Sequence, residues 1–434
     1  MEAFPWKHFR GSISLKMEWY GKQRGDDMLL RYPDYYERFQ CIAGKCEDTC
    51  CAGWEIDIDD ESYEAYMQVP GAFGERLRDS IKEYHSEDED IYENHGFLLR
   101  TGKRCPFLNQ DNLCDMILEL GEQSLCYVCT HTPRNYFEYD HTREISISPS
   151  CPEAGRLIFS QKKPVHFLEK ESEEEFGFEE TVEELERAKI VREVRDAAIF
   201  LLQNRVRNGR KRPVEKRLCE FLIFSKRIQE LWNLGKGVEI FAFVKKVLDG
   251  KTEDSFEKEF AEGMAEKDFD RKGMLYDGFC KRMKLFSEMD SINEDWEHAL
   301  ERLYLLFLEE EAPERYAAAV EKFSTYIREK DREYLYEQFL VYYVFLMLPR
   351  ALDDGNLWGK AQFIAVSFLM VRDMNIETFY RNMQELTGDD YAENVRFFAK
   401  EMEHSGENME FLEEELLFEE DYQLEKLLFF IHAV

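Results

Sequence analysis

Hydrophobic positions recur at helical spacing through most of the second half of the chain. In the stretch 296–303 the apolar residues lie three or four positions apart, which is the period of a helix with one buried face. Thr181 followed by Glu184 forms a capping box, which predicts the start of a helix. The segments 337–348 and 358–371 are strongly apolar and enclose a polar turn, so they predict a buried helical hairpin.

In the first half of the chain, hydrophobic and polar residues alternate with a shorter period. Trp54, Ile56 and Ile58 alternate with acidic residues, which predicts a short half-buried strand. Asp60 or Ser62 is the expected N-cap of the helix that follows this strand.

Two hairpins are predicted further along the first half. The turn-forming stretch 109–112 lies between Cys105 and Cys114, so a hairpin here would bring both thiols to one edge. A second predicted hairpin spans residues 136–147 and turns at 140–142.

These patterns predict a mainly α protein. A small loop-rich cysteine-cluster domain with minor β-hairpins precedes a larger all-helical domain, and the composition becomes strongly charged after Lys162. The predicted division is 1–30 as an N-terminal extension without assigned function, 31–162 as the cysteine-cluster domain, 163–180 as a charged linker and 181–434 as the helical domain.

Composition and charge exclude several classes of protein. Aromatic residues make up 14% of the chain, which argues against disorder over its whole length. The 90 acidic residues outnumber the 57 basic ones, and the net charge of -33 repels phosphate backbones, so nucleic acid is not an expected partner. The longest apolar run, 339–348, is too short for a membrane span. With no secretory signal, the expected compartment is the reducing cytoplasm.

Cysteine is concentrated in one part of the chain. Of the eleven cysteines, only Cys219 and Cys280 lie outside the segment 41–151. An odd number of clustered thiols in a reducing compartment favours a metal site over disulfides. The candidate metal ligands are Cys41, Cys46, Cys50, Cys51, Cys105, Cys114, Cys126, Cys129 and Cys151.

The spacing favours an iron–sulfur cluster over zinc. Cys126 and Cys129 are separated by two residues, which lets one turn present both sulfurs to one metal centre. Cys105 and Cys151 each precede proline, as a cysteine does in the ferredoxin cluster motif. Zinc remains the alternative, with His131 as a further possible ligand, although a plain loop histidine is the simpler interpretation.

Three stretches together resemble the flagellin lysine N-methylase (FliB) family. They read PDYYERFQCIAGKCEDTCCAGWEIDID, CPFLNQDNLCDMILELGEQSLCYVCTHTPRN and SISPSCPEAGRLI, and the resemblance runs from about Tyr32 to Ile158. It implies transfer of methyl groups from S-adenosylmethionine to lysine side chains of flagellin, with a cysteine-bound 4Fe-4S cluster. All nine clustered cysteines match motif positions, whereas no catalytic or donor-binding residue can be carried over.

Methyl transfer to lysine adds a chemical requirement. A protonated lysine has no lone pair, so the acceptor must lose a proton before it attacks the donor. Tyr127 and Tyr136 are candidates for lining a lysine slot, although packing is the simpler role for both. Two alternatives remain open: a non-enzymatic protein-interaction module stapled by zinc or iron, and a redox or metal-handling protein.

Overall fold

A computed structural model describes residues 27–83, 95–175, 180–207, 209–264, 270–292, 294–307 and 312–432. Most of the predicted N-terminal extension therefore lies outside the described residues, as do positions 176–179 of the predicted linker.

Short strands occur mainly in the first 175 residues. They form a four-stranded sheet in the order β5-β6-β1-β7, a three-stranded sheet in the order β2-β4-β3 and the pair β8-β9. The strands are β1 Asp27–Pro33, β2 Asp57–Ile58, β3 Ile81–Glu83, β4 His95–Phe97, β5 Arg134–Tyr139, β6 Thr142–Ile147, β7 Phe167–Glu175, β8 Val206–Arg207 and β9 Arg210–Lys211.

Helices account for most of the described chain, which confirms the predicted fold class. They are α1 Asp60–Gln68, α2 Gly71–Asp79, α3 Asp115–Leu120, α4 Tyr127–His131, α5 Pro152–Ser160, α6 Val182–Gln203, α7 Val214–Asn233, α8 Gly237–Leu248, α9 Glu253–Met264, α10 Arg271–Ser287, α11 Glu294–Phe307, α12 Ala312–Glu329, α13 Glu333–Met347, α14 Ala351–Asp354, α15 Leu357–Arg381, α16 Gly388–Glu403, α17 Gly406–Phe418 and α18 Leu424–His432. Within the described ranges, no helix combines the length and the apolarity that crossing a membrane requires.

Several local predictions are confirmed. The Thr181–Glu184 capping box begins α6, with both reciprocal hydrogen bonds formed. The apolar segments around residues 340 and 365 form α13 and α15, which pack against each other as predicted. The hairpin β5-β6 turns at Asp140 and His141, whose positive φ angles of 49° and 52° place both residues in the left-handed region.

Three local predictions are wrong. Asp59, rather than Asp60 or Ser62, caps α1, because its Oδ1 accepts a hydrogen bond from the Ser62 amide at 2.9 Å. The strand expected from Trp54 onward is reduced to the two residues of β2. Between Cys105 and Cys114 there is one bridge rather than a hairpin, because the side chain of Asn109 accepts hydrogen bonds from backbone amides and closes the turn itself.

The four-stranded sheet includes residues from the predicted extension and from the predicted linker. Strand β1 lies between β6, to which it is parallel, and β7, to which it is antiparallel. Residues 27–30 are thus part of a strand of this sheet, and Met28 is fully buried. Strand β7 occupies half of the predicted linker, although its sequence FLEKESEEE lacks apolar alternation. The backbone groups on the side of β7 that faces β1 are satisfied by this pairing, which local patterning does not reveal.

Two hydrophobic cores support the molecule. The larger core is built around α7, α13, α15 and α16, and it also includes Ile147 of β6 and Ile158 of α5. The smaller core contains Ile58, Phe97 and Phe107 together with two cysteine side chains. Helix α5 precedes the predicted domain boundary yet packs into the larger core, and the boundaries themselves stay a prediction.

Candidate metal centre and adjoining pocket

Eight of the nine clustered cysteines line one cavity with a volume of about 610 Å³. We call it the cysteine cavity, and its thiols belong to Cys41, Cys46, Cys50, Cys51, Cys105, Cys114, Cys129 and Cys151. The ninth, Cys126, is fully buried in the smaller core and interacts with Cys129. All eleven cysteines of the chain are free thiols. The structure therefore brings together the residues that the sequence singled out.

Helix starts and loops position these thiols. Cys126 is the N-cap of α4, and Cys129 lies one turn into that helix. Cys151 is the N-cap of α5, whose first residue is proline. The backbone amide of Cys105 donates to the carbonyl of Cys51 at 2.8 Å, which ties two distant cysteine loops together.

Electrostatic interactions divide the cysteines into two groups that meet at Cys50 and Cys51. The outer group comprises Cys41, Cys46, Cys50 and Cys151. The inner group comprises Cys51, Cys105, Cys114, Cys126 and Cys129. The outer thiols are exposed or half-buried, whereas two of the inner ones belong to the smaller core.

Two thiols ionise more readily than ordinary cysteine. A hydrogen bond with the Cys50 thiol lowers the pKa of Cys51 to about 7, against opposing burial, and Thr49 and Arg104 lower it further. A hydrogen bond with the Cys129 thiol likewise lowers the pKa of Cys126. Burial raises the pKa of Cys105 to about 12. Because the thiolate is the metal ligand, metal binding would release protons from such groups.

Whether these residues suit a metal depends on its type. Among the described residues, no three His, Cys, Asp or Glu side chains lie close enough to hold one metal ion. A zinc site needs four ligand atoms within about 2.3 Å of one centre. A 4Fe-4S cluster instead takes four thiolates, one on each iron, so its sulfurs lie further apart. The set of free thiols around a cavity fits a cluster in ligand type and number.

A second cavity, with a volume of about 390 Å³, adjoins the first. We call it the aromatic pocket, because Trp54, Tyr127, Tyr136, Phe137 and Phe345 contribute to its walls. Six residues line both cavities: Trp54, Thr132, Pro133, Arg134, Ser150 and His404. His131 lines the aromatic pocket rather than the cysteine cavity, and its Nδ1 lies 2.8 Å from the carbonyl oxygen of Tyr127.

Glu403, at the end of α16, is a pocket residue that the sequence did not indicate. Its Oε2 accepts hydrogen bonds from the Tyr342 hydroxyl at 2.8 Å and from Asn135 Nδ2 at 3.3 Å, and its Oε1 accepts one from the Tyr343 hydroxyl at 3.1 Å. Burial raises the pKa of the Glu403 carboxyl, and these hydrogen bonds oppose that shift.

His404 follows Glu403 and stands at the boundary of the two cavities. Burial and the nearby Lys400 lower the pKa of His404 to about 4, so its imidazole is neutral near pH 7. Its ring packs against the indole of Trp54, with 5.0 Å between the ring centroids. The Trp54 Nε1 in turn donates to the carbonyl of Cys50 at 2.7 Å, which links the boundary to the outer cysteines.

Comparison with known proteins gives one family. A model described as the FliB lysine N-methylase C-terminal domain matches residues 195–430, more than half of the chain. Flagellar biosynthetic protein FliU of Salmonella muenchen is 28% identical over 150 residues, which cover 34% of this chain and 86% of that protein. Lysine-N-methylase of Salmonella typhimurium is 27% identical over 157 residues, which cover 33% of this chain and 36% of that protein. No solved structure matches the chain.

Proposed function

The chain belongs to the FliB lysine N-methylase family, and from that membership we propose that it is a protein-lysine N-methyltransferase. The proposed methyl donor is S-adenosylmethionine, and the proposed substrate is flagellin. A 4Fe-4S cluster held by thiols of the cysteine cavity is part of the proposal. The free thiols suit a reducing compartment, so we place the activity in the cytoplasm.

One observation carries the proposal beyond family membership. The thiols line a cavity that shares six wall residues with a pocket containing aromatic rings and a carboxylate. Methyl transfer needs a donor and a nucleophile held side by side, because proximity removes much of the entropic cost of a reaction between two molecules. Two adjoining cavities provide room for that arrangement.

The cysteines of the cavity would hold the cluster, which when bound would supply a Lewis-acidic centre next to the donor. The protein's own residues have separate tasks. The aromatic walls exclude water and favour cationic groups, and both the sulfonium donor and a lysine are cations. Arg134 lines both cavities and packs over the rings of Tyr36 and Phe39, so it gives the boundary a fixed positive charge.

Methyl transfer can be tested directly. Protein purified without oxygen and carrying its cluster is incubated with methyl-labelled S-adenosylmethionine and unmethylated flagellin from its own host. We expect label on flagellin lysines, and no label when the lysines are acetylated beforehand. A cluster-loaded protein that neither binds the donor nor transfers label would contradict the proposal and favour a metal-stapled interaction module.

A further inference from the structure

We propose that the aromatic pocket receives the side chain of the target lysine and that Glu403 accepts the proton which this lysine must lose. The inference rests on the proposed methyltransferase function and assigns its acceptor site. Glu403 is then a catalytic residue, since it touches the reacting nitrogen.

The walls of the pocket suit a lysine side chain. Tyr127 and Tyr136 offer apolar surface for the four methylene groups and aromatic rings for the cationic end. Phe345 is buried against Phe167 and Arg195, so it only closes the wall behind them. Tyr127 is about two-fifths exposed, so the pocket opens to the surface on that side, as entry of a substrate side chain requires. A closed cavity in the core would admit no residue of another protein.

Glu403 is held in a fixed orientation at this pocket. The hydroxyls of Tyr342 and Tyr343, both on α13, each bond a different carboxylate oxygen, and Asn135 of β5 adds a third donor. Glu403 nevertheless lines the pocket, and the residue as a whole is not fully buried. A carboxylate that is oriented by its neighbours and still reachable has the geometry of a general base.

The other carboxylates of the pocket are less suited to this role. Glu144 is buried, and its two oxygens accept hydrogen bonds from the guanidinium of Arg195. The hydroxyl of Tyr139 also donates to Glu144, at 2.9 Å. Asp353 is exposed to solvent. Among the described residues that line the pocket, Glu403 is therefore the carboxylate that combines burial with access, and it accepts hydrogen bonds from neutral donors.

The environment also favours proton transfer. Burial raises the pKa of Glu403. A lysine side chain in the pocket is also desolvated, which lowers the pKa of its ammonium group. The two pKa values therefore come closer together. Arg350 also lines the pocket, and its interaction with Glu403 limits how far this carboxyl can be protonated before substrate arrives. Arg350 thus favours the carboxylate form of Glu403, which is the form that accepts a proton.

Proton transfer precedes methyl transfer. The lysine ammonium gives one proton to the Glu403 carboxylate, which leaves a neutral amine and a carboxylic acid. The amine lone pair forms a bond to the methyl carbon of the sulfonium donor, and the carbon–sulfur bond breaks with its electron pair remaining on sulfur. The products are a methylated ammonium and S-adenosylhomocysteine, and the proton on Glu403 is later released to water.

The test compares Glu403→Gln with wild type in steady-state methyl transfer to flagellin. Glutamine keeps the size of the side chain and cannot accept the proton, so we expect kcat at neutral pH to fall about 100-fold or more. Donor affinity and iron content should not change. The variant rate should recover as the pH approaches about 10, where free lysine deprotonates without help. A merely structural role for Glu403 would not produce this recovery.

Glu393→Gln is the matched control, because Glu393 lies on the same helix at an exposed position outside the pocket. It should leave kcat unchanged. If Glu403→Gln does not fold, Tyr136→Leu provides a second variant, with an expected severalfold rise in KM for flagellin and unchanged donor affinity.

The outcomes separate the two proposals. A wild-type protein that transfers no methyl group overturns the proposed function. Active wild type with an equally active Glu403→Gln variant overturns only the assignment of the base. If Glu403→Gln or Tyr136→Leu instead abolishes donor binding, the aromatic pocket holds the donor and the lysine assignment is wrong.

Discussion

Asp48 forms an ion pair with Arg396, although 348 positions separate the two residues in the chain. Asp48 lies in the loop between Cys46 and Cys50, and Arg396 lies in α16. Lys400, one turn further along α16, pairs with the same carboxylate. The outer cysteine loop is thus fixed to the helix that ends at Glu403.

Removing the Asp48 carboxylate should loosen this attachment. In an Asp48→Asn variant, Arg396 and Lys400 would face each other with little access to water, since their side chains are only 10% and 15% exposed. We expect the free energy of unfolding to fall by about 2 to 4 kcal/mol, which is less than the roughly 3 to 5 kcal/mol for a fully buried pair, because the Asp48 side chain is itself 22% exposed. Urea denaturation followed by circular dichroism measures it.

The control is the neighbouring Glu47→Gln substitution. Glu47 pairs with Arg156, but those side chains are 52% and 39% exposed, so the expected loss is below about 1 kcal/mol. Equal losses for the two variants would show that Asp48 has no special part in attaching the loop.

The second prediction concerns the buried ion pair between Asp373 and Arg282 in the larger core. Asp373 of α15 accepts hydrogen bonds from Arg282 Nη2 at 2.6 Å and from the Tyr316 hydroxyl at 2.7 Å, and its side chain is 1% exposed. Asp373→Ala leaves an uncompensated guanidinium, so we expect a loss of about 3 to 5 kcal/mol in unfolding free energy.

Asp277→Ala serves as the matched control for that variant. Asp277 pairs with Lys281 at the surface, where both side chains are at least two-fifths exposed, so the loss should stay below about 1 kcal/mol. A loss for Asp373→Ala that is no larger than this would argue that the buried pair adds nothing to stability.

The two cysteine groups lead to a prediction about iron content. We compare a variant with serine at the four outer positions against a variant with alanine at the inner ones, after reconstitution with iron and sulfide. At least one of them should lose its iron, whereas Cys280→Ser, which alters a cysteine outside the cavity, should keep the wild-type amount. Iron retained in both group variants, or lost in Cys280→Ser, would refute a cluster in the cysteine cavity.

From the buried carboxyl of Glu403 we predict how the stability of the folded chain depends on pH. Its pKa in the folded chain lies above the ordinary value of 4.5, so the folded chain keeps this proton at pH values where the unfolded chain has released it. The stability that the protonated Glu403 carboxyl contributes is present at low pH, and it is lost as the pH rises through the pKa of Glu403 in the folded chain. Glu403→Gln cannot ionise, so its stability relative to wild type should increase with pH over this range.

The difference in stability between wild type and Glu403→Gln is measured by thermal unfolding at several pH values. All of these lie above the pKa of His404, which is about 4. Burial keeps Tyr342 and Tyr343 protonated and Arg350 remains charged, so none of these neighbours adds a titration in the range. A difference that stays constant with pH would contradict the raised pKa of Glu403.

Local patterning predicted the parts of the fold that depend on neighbouring residues. The apolar periodicity of α13 and α15 and the capping box of α6 are local signals, and each gave the observed element. Strand β7 was missed because its charged sequence becomes a strand only by pairing with β1, about 140 positions earlier.

The candidate site was predictable in composition and not in geometry. The clustering of cysteines indicated that the thiols converge, and eight of them line one cavity. That the adjacent Cys50 and Cys51 link the outer group to the inner group depends on the path of the loop. Glu403 was missed because one carboxylate in an acidic chain has no distinguishing pattern until α13 and β5 surround it.

The existence of the cluster is best tested on wild-type protein purified without oxygen, by iron and sulfide analysis together with a visible spectrum. We expect a brown protein with broad visible absorption and about four iron and four sulfide per chain. A colourless protein with stoichiometric zinc, or with no metal, would contradict an iron–sulfur site in the cysteine cavity.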